Sequence, residues 1–139
     1  MKHIHFDIES DGFYGAYWAC KDGSDYAVIA MLGDDPEDYM ARSAVKWLLR
    51  LGVNILTMSP GKKDYGHHNY PLERIEKAIA YLKSHGNAKI GIAGASTTGT
   101  LALTAAAVSS RCPPSPAAET YTAAMSTAFL TRRASRIRS

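Results

Sequence analysis

The chain has 139 residues, of which 46% are hydrophobic and 21% are charged. This length and balance are typical of one soluble globular domain, and they exclude a collagen-like or intrinsically disordered chain. No apolar run approaches the ~20 residues of a membrane-spanning helix. The N-terminal segment also lacks the apolar stretch of a signal peptide, so we expect a cytoplasmic protein with no membrane partner.

The net charge of +3 belongs to the C-terminal segment. Five arginines and one glutamate lie within residues 111–139, whereas acidic and basic side chains nearly balance over residues 1–110. Three prolines and few large apolar side chains make segment 111–139 a poor core former. We therefore expect a folded domain over 1–110, a basic disordered or irregular tail over 111–139, and no nucleic-acid partner for the domain.

Strand and helix signals alternate along the domain. Two strands are predicted over 2–6 and 13–19, followed by a nearly continuous apolar run, DYAVIAML, over 25–32. Such a run is typical of a strand buried on both faces. A helix follows over 36–51, with Pro36 in its first turn and Asp35 as its N-cap.

The alternation continues through the second half of the domain. A second buried strand is predicted over 53–58 and a helix over 72–85, with a polar loop between them. A third buried strand over 89–93 leads through a tight turn into an Ala-rich helix over 100–109. This order predicts an α/β fold, with a mostly parallel sheet, helices on both faces and an antiparallel N-terminal edge.

The segment KIGIAGASTTG carries the strongest chemical signal. A buried strand ends at Gly94, Ser96 stands two residues later, and a helix follows Gly99. A sharp strand-to-helix turn lifts a side chain beside the free N–H groups of a helix N-terminus, where an oxyanion is stabilised. Thr98 stands where a G-x-S-x-G turn has glycine, and the glycine falls one place later. Two alternatives remain open: an unreactive serine and a phosphate-binding turn.

The loop after the first buried strand offers a second backbone donor, from Gly33 or Asp34. The alternative is a plain helix cap built by Asp34 or Asp35, and the two interpretations are compatible.

Histidines and cysteines give weaker signals. His67 or His68, oriented by Asp64, could act as a general base for Ser96, but loop packing or exposure is the simpler interpretation. His3 and His5 alternate along an edge strand, which is compatible with a weak metal pair, but a structural role is the simpler interpretation. Cys20 and Cys112 fit no disulfide framework or zinc spacing, so we expect ordinary thiols and neither a metal site nor a cofactor.

Residues 12–109, which include these motifs, resemble the α/β-hydrolase fold. Within it they are similar to bacterial members of the acyl-CoA thioester hydrolase / bile acid-CoA:amino acid N-acyltransferase C-terminal family. The resemblance implies that Ser96 is the nucleophile and that the Thr97 N–H, with one from Gly33 or Asp34, forms an oxyanion hole. It also implies hydrolysis of acyl esters or thioesters through an acyl-enzyme.

The chain departs from that family after Ser96, where it has no histidine and only one acidic residue, Glu119. Members of the family bring an acid and a histidine from loops after later strands. We therefore expect the N-terminal portion of a hydrolase domain with impaired activity. The alternatives are a non-catalytic fragment that associates, for example with a second copy, through an exposed sheet edge, and a small phosphate-binding domain.

Overall fold

A computed structural model describes residues 2–32, 34–59, 69–95 and 97–109. The elements, in chain order, are β1 (Ile4–Phe6), α1 (Ile8–Asp11), β2 (Gly15–Trp18), β3 (Tyr26–Met31), α2 (Tyr39–Arg50), β4 (Asn54–Met58), α3 (Leu72–Ser84), β5 (Lys89–Gly94) and α4 (Thr97–Ser109). No helix in these ranges combines the length and apolarity needed to cross a bilayer.

The strands form one mixed sheet in the order β1-β2-β4-β3-β5. β3 pairs in parallel with both β4 and β5. β2 pairs antiparallel with both β1 and β4. The α/β class and the antiparallel N-terminal edge are therefore confirmed. Among the described strands β5 has a neighbour on one side only, namely β3.

Two apolar clusters cover the two faces of the sheet. Ile29, Leu56 and Ile92 point to the face on which α3 and α4 pack. Ala30 and Ile55 point to the other face, where they meet side chains of α2. Because successive strand residues alternate between faces, strands that are apolar at every position require a helical layer on each side.

The start of α2 differs from the prediction. The helix begins at Tyr39 and is capped by Asp38, whose side chain accepts a hydrogen bond of 2.8 Å from the Ala41 N–H. The predicted start at Pro36 with Asp35 as N-cap is wrong, because the Pro36 carbonyl accepts the Thr57 hydroxyl at 2.6 Å and the Asp38 N–H closes a single turn on the Asp35 carbonyl at 3.2 Å. The Asp35 carboxylate accepts the Glu37 N–H at 2.9 Å. That bond closes a turn of the Asx type, which places Pro36 before the helix.

Two further boundaries differ. The short helix α1 follows β1 directly, which the sequence pattern did not predict, and α4 begins three residues before the predicted start at Thr100. A four-residue helix is too short to produce a helical period. The predicted tail over 111–139 lies outside the described residues.

A buried network of hydrogen bonds, formed by Asn54 and Asn87, joins three segments of the chain. Asn54, 4% exposed, donates from Nδ2 to the Ser24 carbonyl at 3.0 Å and to Asn87 Oδ1 at 2.7 Å. Its Oδ1 accepts the Cys20 N–H at 2.8 Å. Asn87 in turn donates to the Leu82 carbonyl at 2.9 Å. These bonds connect the start of β4 to the chain that enters β3 and to the turn between α3 and β5.

We expect Asn54→Ala and Asn54→Leu each to lower the free energy of unfolding by about 2–4 kcal/mol, because both leave buried donors and acceptors unpaired. Urea unfolding followed by circular dichroism measures the change. The leucine variant restores the lost volume, so a leucine variant as stable as the native chain would show that packing, and not hydrogen bonding, sets the role of Asn54.

Candidate functional site

The turn between β5 and α4 contains two residues. β5 ends at Gly94 and α4 begins at Thr97, so Ala95 and Ser96 alone connect strand to helix. The Thr98 N–H donates to the Ala95 carbonyl at 3.2 Å, which closes the turn. Ser96 lies outside the described residues, so its role as nucleophile stays a prediction.

Gly94 leaves the space that this turn requires. A Cβ at this position would lie 2.3 Å from the Thr98 carbonyl oxygen and 2.9 Å from the Gly99 nitrogen. The backbone of Gly94 is not in the left-handed region, so the glycine is needed for space and not for its φ angle. Gly99, the second glycine of the predicted strand-to-helix turn, is buried in the first turn of α4.

Thr98 holds the turn against the neighbouring strand, a role the sequence analysis missed. Its side chain is 4% exposed, and its Oγ1 accepts the Ala95 N–H at 2.9 Å. The same oxygen lies 2.7 Å from the carbonyl oxygens of Met31 and Ala95, to one of which it donates its single proton. The sequence signal that could have identified this role is a polar, β-branched residue at the position where the G-x-S-x-G motif has glycine.

The loop after β3 lies at the same edge of the sheet as this turn. β3 and β5 are parallel neighbours, with Met31 paired to Gly94, so their carboxyl ends are adjacent. The Asp34 N–H already donates to Asp38 Oδ2 at 3.1 Å. Of the two predicted donors, Asp34 is therefore engaged within its own loop, and Gly33 lies outside the described residues.

The N-terminus of α4 is electrostatically favourable for an anion. The first helical N–H groups, beginning with that of Thr97, have no acceptor within the helix itself. The first turn contains no acidic residue that would offset the positive end of the helix dipole. This arrangement suits the developing negative oxygen of an acyl-transfer reaction.

No described histidine lies beside the turn. His3 and His5 lie at or near β1, at the opposite edge of the five-stranded sheet from β5, about 19 Å away at ordinary strand spacing. His85 follows the last residue of α3, at the end of the sheet where β5 begins. His67, His68 and Asp64 lie outside the described residues, so the predicted general base stays a prediction.

The described residues offer neither a metal-binding cluster nor a reactive thiol. No three His, Cys, Asp or Glu side chains among them are arranged to hold a metal ion. Burial, and secondarily the negative charge of Asp22, raises the pKa of the Cys20 thiol. A raised pKa disfavours the thiolate, which makes Cys20 a weak nucleophile.

Comparison with known proteins gives no family. The sequence matches no protein-family model, and neither a curated protein nor a solved structure matches it significantly.

We expect Thr98→Val to lower the free energy of unfolding by about 1–3 kcal/mol, because it keeps the shape but leaves the Ala95 N–H without its acceptor. Thr98→Ser, which keeps the hydroxyl, should cost less. Urea unfolding compares the two with Thr104→Val, an exposed threonine in the same helix. A valine variant at least as stable as the serine variant would contradict this role of the hydroxyl.

Proposed function

We propose that the chain is the N-terminal portion of an α/β-hydrolase domain of the acyl ester and acyl-CoA thioester hydrolases, with Ser96 as the nucleophile. The proposal is supported by the two-residue connection between β5 and α4. The first turn of α4 packs closely against Gly94, and the loop after β3 lies at the same edge of the sheet. A turn of this kind exposes a serine at the carboxyl edge of a sheet, beside backbone donors for an oxyanion.

The proposed reaction is acyl transfer through a covalent intermediate. The Ser96 oxygen attacks the acyl carbonyl as its proton passes to a base, and the tetrahedral oxyanion accepts hydrogen bonds from the Thr97 N–H and from Gly33. Collapse expels the alcohol or thiol with a proton and leaves an ester on Ser96. Attack by water, or by an amine acceptor, then releases the acyl group and restores the serine.

A general base is the weakest part of this machinery. The 139 residues contain no histidine after Ser96, and His67 or His68 with Asp64 are the candidates before it. Loss of triad members lowers turnover by several orders of magnitude, although binding and the oxyanion donors still accelerate the reaction. We therefore propose slow turnover for these 139 residues, with acylation of Ser96 easier to detect than repeated hydrolysis.

A second proposal, a non-catalytic fragment that associates through its sheet, is favoured by the surface at β5. An apolar groove of about 280 Å³ lies along the starts of β3 and β5, between Tyr26, Val53 and Gly91. Tyr26 is half exposed, and β5 has no second strand partner among the described residues. Open strand edges and apolar grooves of this kind promote pairing with another chain.

The test of the hydrolase proposal is acylation by an activated p-nitrophenyl ester and by an acyl-CoA. We expect up to one acyl group per chain, located by mass spectrometry on the tryptic peptide 90–111, together with slow release of p-nitrophenol. Ser96→Ala should abolish both signals, and Ser10→Ala, an exposed serine in α1, should change neither.

Acyl label that persists in Ser96→Ala, or no label at all on peptide 90–111, would contradict the hydrolase proposal. In the second case a concentration-dependent dimer in analytical ultracentrifugation would favour association through the sheet.

A further inference from the structure

Glu37 lies in the segment that connects β3 to α2, and both of its carboxylate oxygens contact histidines at β1. Oε1 contacts His3 Nε2, and Oε2 lies 3.2 Å from His5 Nδ1. The Glu37 side chain is 24% exposed, and those of His3 and His5 are 28% and 42% exposed. We call residues 34–38 the β3–α2 loop and these three side chains the latch.

The two imidazoles are held in place by aromatic neighbours. His3 stacks on Trp18, with ring centroids 4.9 Å apart, and His5 meets Tyr14 edge-to-face at 5.3 Å. Trp18 and Tyr14 are themselves buried. Rings fixed in this way can donate to Glu37 with little loss of side-chain freedom on contact, provided each carries its proton on the contacting nitrogen.

Other contacts hold the β3–α2 loop through its carbonyl oxygens. Thr57 Oγ1 donates to Pro36 at 2.6 Å, Ser59 Oγ donates to Asp34 at 2.7 Å, and Arg42 Nε donates to Glu37 at 2.7 Å. These donors come from β4, from the residue after it, and from α2. The latch adds a connection between this loop and the edge strand.

The charged side chains next to Glu37 in the chain form hydrogen bonds with backbone groups, whereas the Glu37 carboxylate contacts the histidines. The Asp35 carboxylate accepts the Glu37 N–H, and the Asp38 carboxylate accepts the N–H groups of Asp34 and Ala41. Arg42 uses its Nε on the backbone carbonyl of Glu37.

We propose that Glu37 is a positioning residue. Through its contacts with His3 and His5 it fixes the β3–α2 loop relative to the turn after β5. The inference deepens the proposed function, since that loop follows Gly33, the remaining predicted oxyanion donor. An oxyanion donor is effective only where its place is fixed before the charge develops. A side-chain contact at the edge of the sheet would in this way set the geometry of a site several strands away.

The direct test is amide hydrogen exchange of Asp34 and Asp38, whose N–H groups are bonded within the loop. Glu37→Gln keeps one acceptor oxygen but loses the second and the charge. We expect exchange at both amides to rise at least about fivefold, a local opening, while amides of β4 and the unfolding midpoint stay unchanged. Glu76→Gln, an exposed glutamate in α3, is the matched control and should change neither amide.

A double variant, His3→Phe with His5→Phe, keeps an aromatic ring at each position but removes the donor nitrogens, and so tests the other side of the latch. It should accelerate the same two amides by a similar factor, and adding Glu37→Gln should accelerate them no further, because all three side chains act through the same two contacts. Exchange within twofold of native in Glu37→Gln, or accelerations that multiply in the triple variant, would overturn the latch.

Acylation separates the latch from the proposed function. If Ser96 is acylated by the p-nitrophenyl ester, Glu37→Gln should slow the acylation step at saturating ester without weakening ester binding. An unchanged acylation rate despite faster exchange would overturn the positioning role. Hydrogen exchange uses no substrate, so failure of Ser96 to react would contradict the hydrolase proposal while the exchange data still decide the latch.

Discussion

The arrangement at the carboxyl edge of the sheet depends on the contact between the end of β5 and the first turn of α4. The Thr98 carbonyl lies where a side chain of Gly94 would be, so strand and helix backbones touch. That contact permits a connection of two residues, Ala95 and Ser96. It also places Thr98 deep enough for its hydroxyl to reach Met31 at the end of β3. A longer connection would separate the helix N-terminus from the position of Ser96.

The β3–α2 loop is ordered by its own acidic residues and by anchors from the sheet. Asp35 and Asp38 accept backbone N–H groups within the loop and at the start of α2. Glu37 reaches outward to His3 and His5. Hydrogen bonds from backbone N–H groups to the Asp35 and Asp38 carboxylates are charge-assisted and hold these side chains in place. The acidic side chains thus stabilise the β3–α2 loop, whereas the first turn of α4 contains no acidic residue.

The sequence predicted the central elements well because their signals are strong. β3, β4, β5 and α3 lie within one residue or so of the predicted bounds, since apolar runs and helical spacing identify them. The start of α2 was wrong because Asp34, Asp35 and Asp38 all offer caps, and only tertiary contacts select Asp38. Thr98 was missed because the motif is defined by glycine and its hydroxyl acts across the sheet on Met31. The latch joins residues 32 and more positions apart, which no local pattern predicts.

Replacement of Gly94 by alanine tests the central contact most directly, with the free energy of unfolding as the measurement. Gly23→Ala is the reference, because Gly23 has a positive φ of 74° but nothing within 4 Å of an added Cβ. We expect the alanine at position 94 to cost more than about 2 kcal/mol, and more than the one at 23, although its φ is not left-handed. A Gly94→Ala chain as stable as the native one would show that strand and helix do not meet there.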